Sequence, residues 1–155
     1  MRKTTVRQQS GRRGSDSAVL RLLWLVPMLV SLPIAAALPP GAADELKANA
    51  PEVVDVEVVA VATGTPADGR FSAEYRARVL GVERSADGLA PGAEIEIDSF
   101  ALEPGTMMLG PKPPPLLSVG WRGRVWLRPA PAGDRLGTLP RFVPAAYGHG
   151  FEPRP

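Results

Sequence analysis

Four residues in the C-terminal third of the chain combine positive charge with an aromatic ring at alternate positions: Arg122, Arg124, Trp126 and Arg128. Successive side chains of a β-strand point to opposite faces, so all four share one face if this segment is a strand. Guanidinium and indole groups stack on rings and pair with carboxylates. We therefore predict a binding surface here. The alternative is that Trp126 packs beneath a neighbouring segment while the arginines only supply surface charge.

Three acidic residues alternate in the same way on another predicted strand: Glu94, Glu96 and Asp98. Side chains two residues apart on a strand are separated by about 7 Å, which is wide for ligands of a single cation. We expect an acidic outer face that pairs across the sheet with Arg76 and Arg78, and no metal site. If two of these acids instead met in a cleft, the protein would be a carboxylate-dependent hydrolase of the cell envelope, which is the alternative function.

Other catalytic chemistry finds little support in the sequence. The chain has no cysteine and one histidine, which argues against thiol catalysis and against a zinc or copper site. That histidine, His149, lies close to the C-terminus, where we expect a flexible tail in which the histidine is solvent-exposed or locally hydrogen-bonded. Residues 105–112 approach a phosphate-binding loop, but Pro111 removes a backbone N–H and no Ser or Thr follows Lys112. We expect no catalytic residue, no metal and no cofactor.

The first 43 residues have the pattern of a targeting segment. Basic residues precede an apolar run at 22–38, and small residues follow at 35–37 and 41–43. This order is typical of a secretory signal peptide, here cleaved after Ala37 or Ala43. Pro27 and Pro33 interrupt a run that is already shorter than the roughly 20 residues of a membrane-spanning helix. We predict export to the periplasm or beyond the cell. The alternative is an inner-membrane anchor formed by residues 18–38.

Removal of this segment changes the charge of the protein. Residues 44–155 contain 12 Lys and Arg residues against 15 Asp and Glu residues, a net charge of −3. A domain of this charge has no general attraction for nucleic acid. It would meet a membrane only through an uncleaved N-terminal segment. The expected partner is therefore a protein or another component of the cell envelope.

The rest of the chain is predicted to be β-structure. Alternating apolar residues indicate strands at 52–62, 71–84, 93–98, 121–128 and 141–143. Gly81 lies where the alternation slips, which predicts a bulge or bend. Residues 44–51 form a linker or short helix, and residues 153–155 a tail. The pattern predicts an all-β fold over residues 52–152: a small, closed or partly open, five-stranded Greek-key barrel of the OB type, preceded by a hydrophobic N-terminal helix.

A long connection separates the third and fourth strands. Residues 101–120, hereafter the Pro-rich loop, contain four prolines between Pro111 and Pro115. Connections of this length are usually functional or mobile. The apolar pairs Met107–Met108 and Leu116–Leu117 predict that this loop packs over one end of the barrel.

Five segments of the chain resemble segments of known proteins: 75–80, 85–97, 110–117, 125–127 and 144–152. Their order resembles a group of small, uncharacterised exported bacterial proteins. The barrel is more distantly similar to the OB-type domain of the tissue inhibitors of metalloproteinases and netrin modules. Those domains use an N-terminal cysteine and disulfides that this chain lacks. The resemblance therefore implies export and a barrel, and it does not imply protease inhibition. We expect an exported, non-enzymatic binding or accessory module that presents a barrel face or the Pro-rich loop.

Overall fold

A computed structural model describes residues 38–131 and 138–155 of the chain. The predicted hydrophobic helix and nearly all of the predicted signal peptide lie outside the described residues. The described elements are one short helix, six strands and one 3₁₀ turn. In chain order they are α1 (Ala42–Ala48), β1 (Glu52–Thr63), β2 (Arg70–Ser85), β3 (Glu94–Leu102), β4 (Arg122–Pro129), β5 (Arg141–Pro144), the 3₁₀ turn (Tyr147–Gly150) and β6 (Phe151–Pro153).

Five of the strands close into a barrel. β1 pairs with β2, β2 with β3, β4 with β5 and β4 with β1, all antiparallel, whereas β3 and β5 are parallel. The order β1-β2-β3-β5-β4 and back to β1 leaves no open edge between the first and last strands. This closed, mixed, five-stranded barrel is compatible with an OB-like fold and confirms the predicted fold class.

The strands begin and end close to the predicted positions because period-two alternation marks them clearly. The largest difference is at β3, which continues to Leu102, four residues beyond the predicted end at Asp98. This extension pairs with the start of β2, where Arg70 lies opposite Leu102. β6 and the 3₁₀ turn were not predicted. β6 is only three residues long, and its pairing with β4 holds it in place.

Inward-facing side chains of the barrel strands form one apolar core. β1, β2, β3 and β4 each contribute alternate residues that are fully buried, and Phe142 enters from β5. The main members of this core are Val54, Val56, Val58, Tyr75, Ala77, Val79, Ile95, Ile97, Val125, Leu127 and Phe142. The residues that alternate with these core residues point outward, and most of them are polar or charged.

The predicted irregularity at Gly81 is confirmed. Val56 lies opposite Val79 and Asp55 opposite Gly81, which leaves Leu80 as an extra residue of β2. A second register shift leaves Glu83 without an opposite residue. Bulges increase local twist and bend a strand. Here they allow the 16-residue strand β2 to follow the curvature of the closed barrel.

The Pro-rich loop packs against the barrel with only part of its length. Pro114 and Leu117 are buried, and the Gly120 N–H donates to the Val58 carbonyl at 2.8 Å. Leu116 and Met107 instead remain exposed, Met107 at 94 % of its accessible surface. The prediction that both apolar pairs cover the barrel end is therefore right for Leu117 and wrong for Leu116 and Met107. The part of the chain that the structure describes contains no helix long and apolar enough to cross a membrane.

Candidate functional site

The four residues singled out in the sequence lie on the outer face of β4. Gly123, Val125 and Leu127 are buried between them, so the alternation has the predicted phase. The four outward side chains nevertheless have three different environments. Neighbouring strands decide which of them remain available to a ligand.

The first two arginines are paired with acids of the same molecule. Arg122 donates to Glu57 Oε1 from Nη2 at 2.9 Å and from Nε at 3.2 Å. Arg124 donates to Asp55 Oδ1 at 3.2 Å and also pairs with Glu83. The register of β1 and β4 places Glu57 opposite Arg122 and Asp55 opposite Arg124. These pairs already satisfy the two guanidinium groups.

The third residue, Trp126, is covered by the short helix. Lys47 of α1 places its ammonium 4.2 Å from the centre of the indole, within the range of a cation–π contact. The Lys47 carbonyl also accepts a hydrogen bond from Arg84 Nη2 at 3.2 Å, which ties α1 to β2. The indole is therefore partly buried, with the Lys47 ammonium of α1 over its ring.

Arg128 is exposed, and among the described residues its guanidinium has no ion pair or hydrogen bond. The strand register explains this difference. β1 begins at Glu52, which lies opposite Leu127. Arg128 therefore lies just beyond the N-terminal end of β1. On its other side Arg128 faces Val143 of β5, which carries no charge.

Arg128 borders a shallow surface depression of about 300 Å³. We call it the Arg128 depression. Most of its wall is apolar, and it lies where the Pro-rich loop and the C-terminal 3₁₀ turn meet the outer face of the barrel. Its lining residues are Asp98, Ser99, Phe100, Pro114, Arg128, Val143, Pro144 and Tyr147.

The one acid of this depression is already neutralised. Arg141 donates to Asp98 Oδ1 from Nη2 at 2.9 Å and from Nε at 3.1 Å. It also lies 3.6 Å from Glu74 and 3.7 Å from Glu96. The hydrogen bond to Asp98, with the charges of the three acids, raises the pKa of Arg141 above its ordinary value. Arg128 is consequently the uncompensated charge of the depression.

The acidic face of β3 therefore has a different partner from the predicted one. Glu94 pairs with Arg78 at 3.7 Å, as expected. Glu96 and Asp98, however, form ion pairs with Arg141. The expectation that Arg76 would pair with them is wrong. The physical reason is topological. β5 lies parallel to β3 with Arg141 opposite Glu96, a neighbour that local sequence does not reveal.

Tyr147, which lines the Arg128 depression, has an unusual backbone conformation. Its φ of +49° lies in the left-handed region, where a bulky side chain is rare, and 46 % of its surface is exposed. Gly148 follows and donates its N–H to the Lys112 carbonyl at 3.0 Å. A Cβ at Gly148 would overlap the Pro113 carbonyl oxygen, so only glycine allows the Pro-rich loop this close. Strained residues of this kind are concentrated at functional sites.

The C-terminal segment is ordered, and the prediction of a flexible tail around His149 is wrong. Residues 147–150 form the 3₁₀ turn, and β6 pairs with β4. His149 is partly buried and its N–H donates to the Ala146 carbonyl. Phe151 is buried with its ring edge-on to Trp121 at 6.2 Å between centroids. Contacts with residues distant in the chain hold this segment, and these contacts have no local sequence signal.

Sequence reasoning identified Arg128 and missed the apolar wall beside it. Phe100 lay between the predicted end of the third strand and the Pro-rich loop, Val143 ended the shortest predicted strand, and Pro144 lay just beyond it. The signal available for Tyr147 was the Tyr-Gly pair that follows a strand-ending proline. In the described ranges, no group of three or more His, Asp or Glu side chains is arranged to hold a metal ion.

Comparison of the chain with protein-family models gives no match, and comparison with curated proteins gives none either.

Proposed function

We propose that the protein is an exported, non-enzymatic binding module that recognises a protein of the cell envelope through the Arg128 depression. The observation that carries this proposal is the guanidinium of Arg128, which has no ion pair among the described residues and lies beside the apolar wall of the depression. The barrel supplies a rigid support, because the register partner Val143 and the neighbouring Leu127 belong to paired strands. Binding residues are commonly presented by surface segments that a rigid scaffold positions.

Export is the second part of the proposal, and the leader supports it. Basic residues, a short apolar run and small residues follow each other over residues 1–43 in the order of a signal peptide. N-terminal sequencing of the secreted or periplasmic protein tests this directly. We expect the mature chain to begin at Leu38 or Asp44. A mature protein that begins at Met1 would contradict cleavage.

The distant relation to the OB-type domain of the tissue inhibitors of metalloproteinases and netrin modules also belongs to the proposal. The closed five-stranded barrel supports it. The absence of cysteine separates this chain from the disulfide-linked inhibitors, so the relation concerns the barrel and does not extend to inhibition of a protease.

The alternative, a carboxylate-dependent hydrolase, requires two acids that flank an open space for the scissile bond. The acids that converge on this surface are Glu74, Glu96 and Asp98, and each lies within 3.7 Å of the same Arg141 guanidinium. That cation pairs with all three and so occupies the space between them. This geometry supports a binding module over the hydrolase.

Comparative affinity capture tests the binding function. The mature wild-type protein, Arg128→Glu and Arg76→Glu are immobilised and exposed to the periplasmic or secreted fraction. Arg76 is a matched control because it is also exposed and, among the described residues, forms no ion pair. Each protein captured by wild type is then purified and its affinity measured by calorimetry.

We expect a specific partner to bind wild type and Arg76→Glu equally, and to lose about tenfold or more in affinity for Arg128→Glu. A partner whose affinity is the same for all three proteins would show that the Arg128 depression is not the binding surface. Complete absence of a captured protein from every envelope fraction would also count against the proposal.

A further inference from the structure

We infer that the Arg128 depression recognises a carboxylate attached to an apolar group, as found where an acidic residue or a chain terminus adjoins an aromatic or aliphatic side chain of a peptide. This inference rests on the proposed binding function and specifies the chemistry of the ligand. It combines two observations: a cation without an ion pair among the described residues, and an apolar wall in register with it.

The first observation is the charge balance of the outer face formed by β3, β5 and β4. Arg122 and Arg124 pair with acids of β1, and Arg141 pairs with acids of β2 and β3. Among the described residues, Arg128 has no such partner. Guanidinium groups bind carboxylates through paired hydrogen bonds of fixed geometry. A carboxylate is therefore the group that complements this site.

The second observation is the position of the apolar wall. Val143 lies directly opposite Arg128 in the β4–β5 ladder, so their side chains share one face and lie side by side. Phe100 and Tyr147 also line the depression and add to this apolar surface. A ligand that places its carboxylate on Arg128 would thus lay an adjoining apolar group against this wall.

The size of the depression limits what the wall accepts. A volume of about 300 Å³ is at the lower end of the range for small-molecule sites. It suits one aromatic or aliphatic side chain with its neighbouring carboxylate. A nucleic acid would instead require a row of unpaired cations, whereas this depression offers one.

Ser99 also lines the depression, but its side chain shares the inner face with its register partner Ala73 and its Oγ is buried, so a ligand in the depression does not reach this hydroxyl. Asp98 does not oppose an anionic ligand strongly, because Arg141 already neutralises it.

The test uses two probes that differ only in charge: 3-phenylpropionate and its uncharged amide, 3-phenylpropionamide. Each is titrated into the mature wild-type protein, Arg128→Gln and the control Arg76→Gln, and the backbone amide resonances are followed by NMR. We expect 3-phenylpropionate to shift the resonances of Phe100, Val143 and Tyr147. We expect the amide to bind about fivefold or more weakly.

Arg128→Gln should reduce the affinity for the carboxylate to that for the amide and leave the affinity for the amide unchanged. Arg76→Gln should behave like wild type. Equal affinities of the two probes for wild type would overturn the inference, because the site would then recognise only an apolar group. Shifts that do not include Phe100, Val143 or Tyr147 would overturn it as well.

The outcome is separable from that of the proposed function. If a purified partner depends on Arg128 while neither probe binds, the binding function stands and the carboxylate inference is wrong. If 3-phenylpropionate binds selectively while every captured partner ignores Arg128, the ligand chemistry stands and the proposed function is wrong.

Discussion

The hydroxyl of Tyr75 accepts a hydrogen bond from the backbone N–H of Leu117 at 3.2 Å and donates one to the Pro115 carbonyl at 3.3 Å. Tyr75 belongs to β2 and is fully buried, whereas Leu117 and Pro115 belong to the Pro-rich loop. One core side chain therefore attaches this loop to the barrel. Pro114, the residue before Pro115, lines the Arg128 depression. The attachment thus helps to shape the proposed binding surface.

Replacement of Tyr75 by Phe should detach this part of the loop. The substitution keeps the ring but leaves the buried N–H of Leu117 without an acceptor, which costs about 1–3 kcal/mol. We expect urea denaturation to show this loss and amide hydrogen exchange to show faster exchange at Leu117. Tyr147→Phe is the control, because the Tyr147 side chain is about half exposed. Unchanged exchange at Leu117 in Tyr75→Phe would contradict the proposed attachment.

The same tyrosine should make the protein less stable in alkali. Burial raises the pKa of Tyr75 above its usual value of about 10, and the hydrogen bond from the Leu117 N–H only partly opposes this shift. Between the two pKa values the unfolded chain loses the phenolic proton while the folded protein keeps it. The free energy of unfolding is therefore unaffected by Tyr75 below pH 10 and falls as the pH rises above it.

The chain has two tyrosines, so phenolate absorbance can assign this effect. A titration of Tyr147→Phe reports Tyr75 alone, and one of Tyr75→Phe reports Tyr147 alone. We expect Tyr75 to ionise at the higher pH and the alkaline loss of stability to be smaller in Tyr75→Phe. Ionisation of both tyrosines at the same pH would show that the Tyr75 hydroxyl is not buried in solution.

Gly148→Ala should be strongly destabilising. The added methyl group would overlap the Pro113 carbonyl oxygen and lie 2.8 Å from that of Lys112, so the 3₁₀ turn and the Pro-rich loop must separate. We expect a loss of roughly 1–3 kcal/mol in urea denaturation, typical of overpacking. Gly81→Ala is the matched control, since its nearest contact would be Asp55 Oδ2 at 3.6 Å. Similar losses for both variants would exclude this close approach as the cause.

Arg141→Gln should destabilise the barrel by leaving Glu74, Glu96 and Asp98 without their shared cation. Like charges on adjacent strands repel, and salt screens this repulsion. We expect a lower denaturation midpoint at low ionic strength and a smaller difference from wild type in high salt. Arg78→Gln, which removes one 3.7 Å pair with Glu94, should have less effect. An equal effect of the two substitutions would show that the three acids do not act as a cluster.

Alternation along the chain predicted the barrel well, because each strand buries one face and exposes the other. The five barrel strands and the outward phase of Arg122, Arg124, Trp126 and Arg128 follow from this local period. The same period could not show where β3 ends. Phe100 points outward there, and its segment is a strand because it pairs with Ser72 of β2.

Local alternation predicts which residues of β4 face outward, but only the folded barrel shows that Arg128, among the described residues, has no ion pair. Arg122 meets Glu57, a residue 65 positions earlier, because β1 and β4 are in register at that point. Arg128 lies just beyond the start of β1 and has no such partner there. The physical reason is that side-chain direction repeats within a strand, whereas charge pairing depends on the register between strands that are distant in sequence.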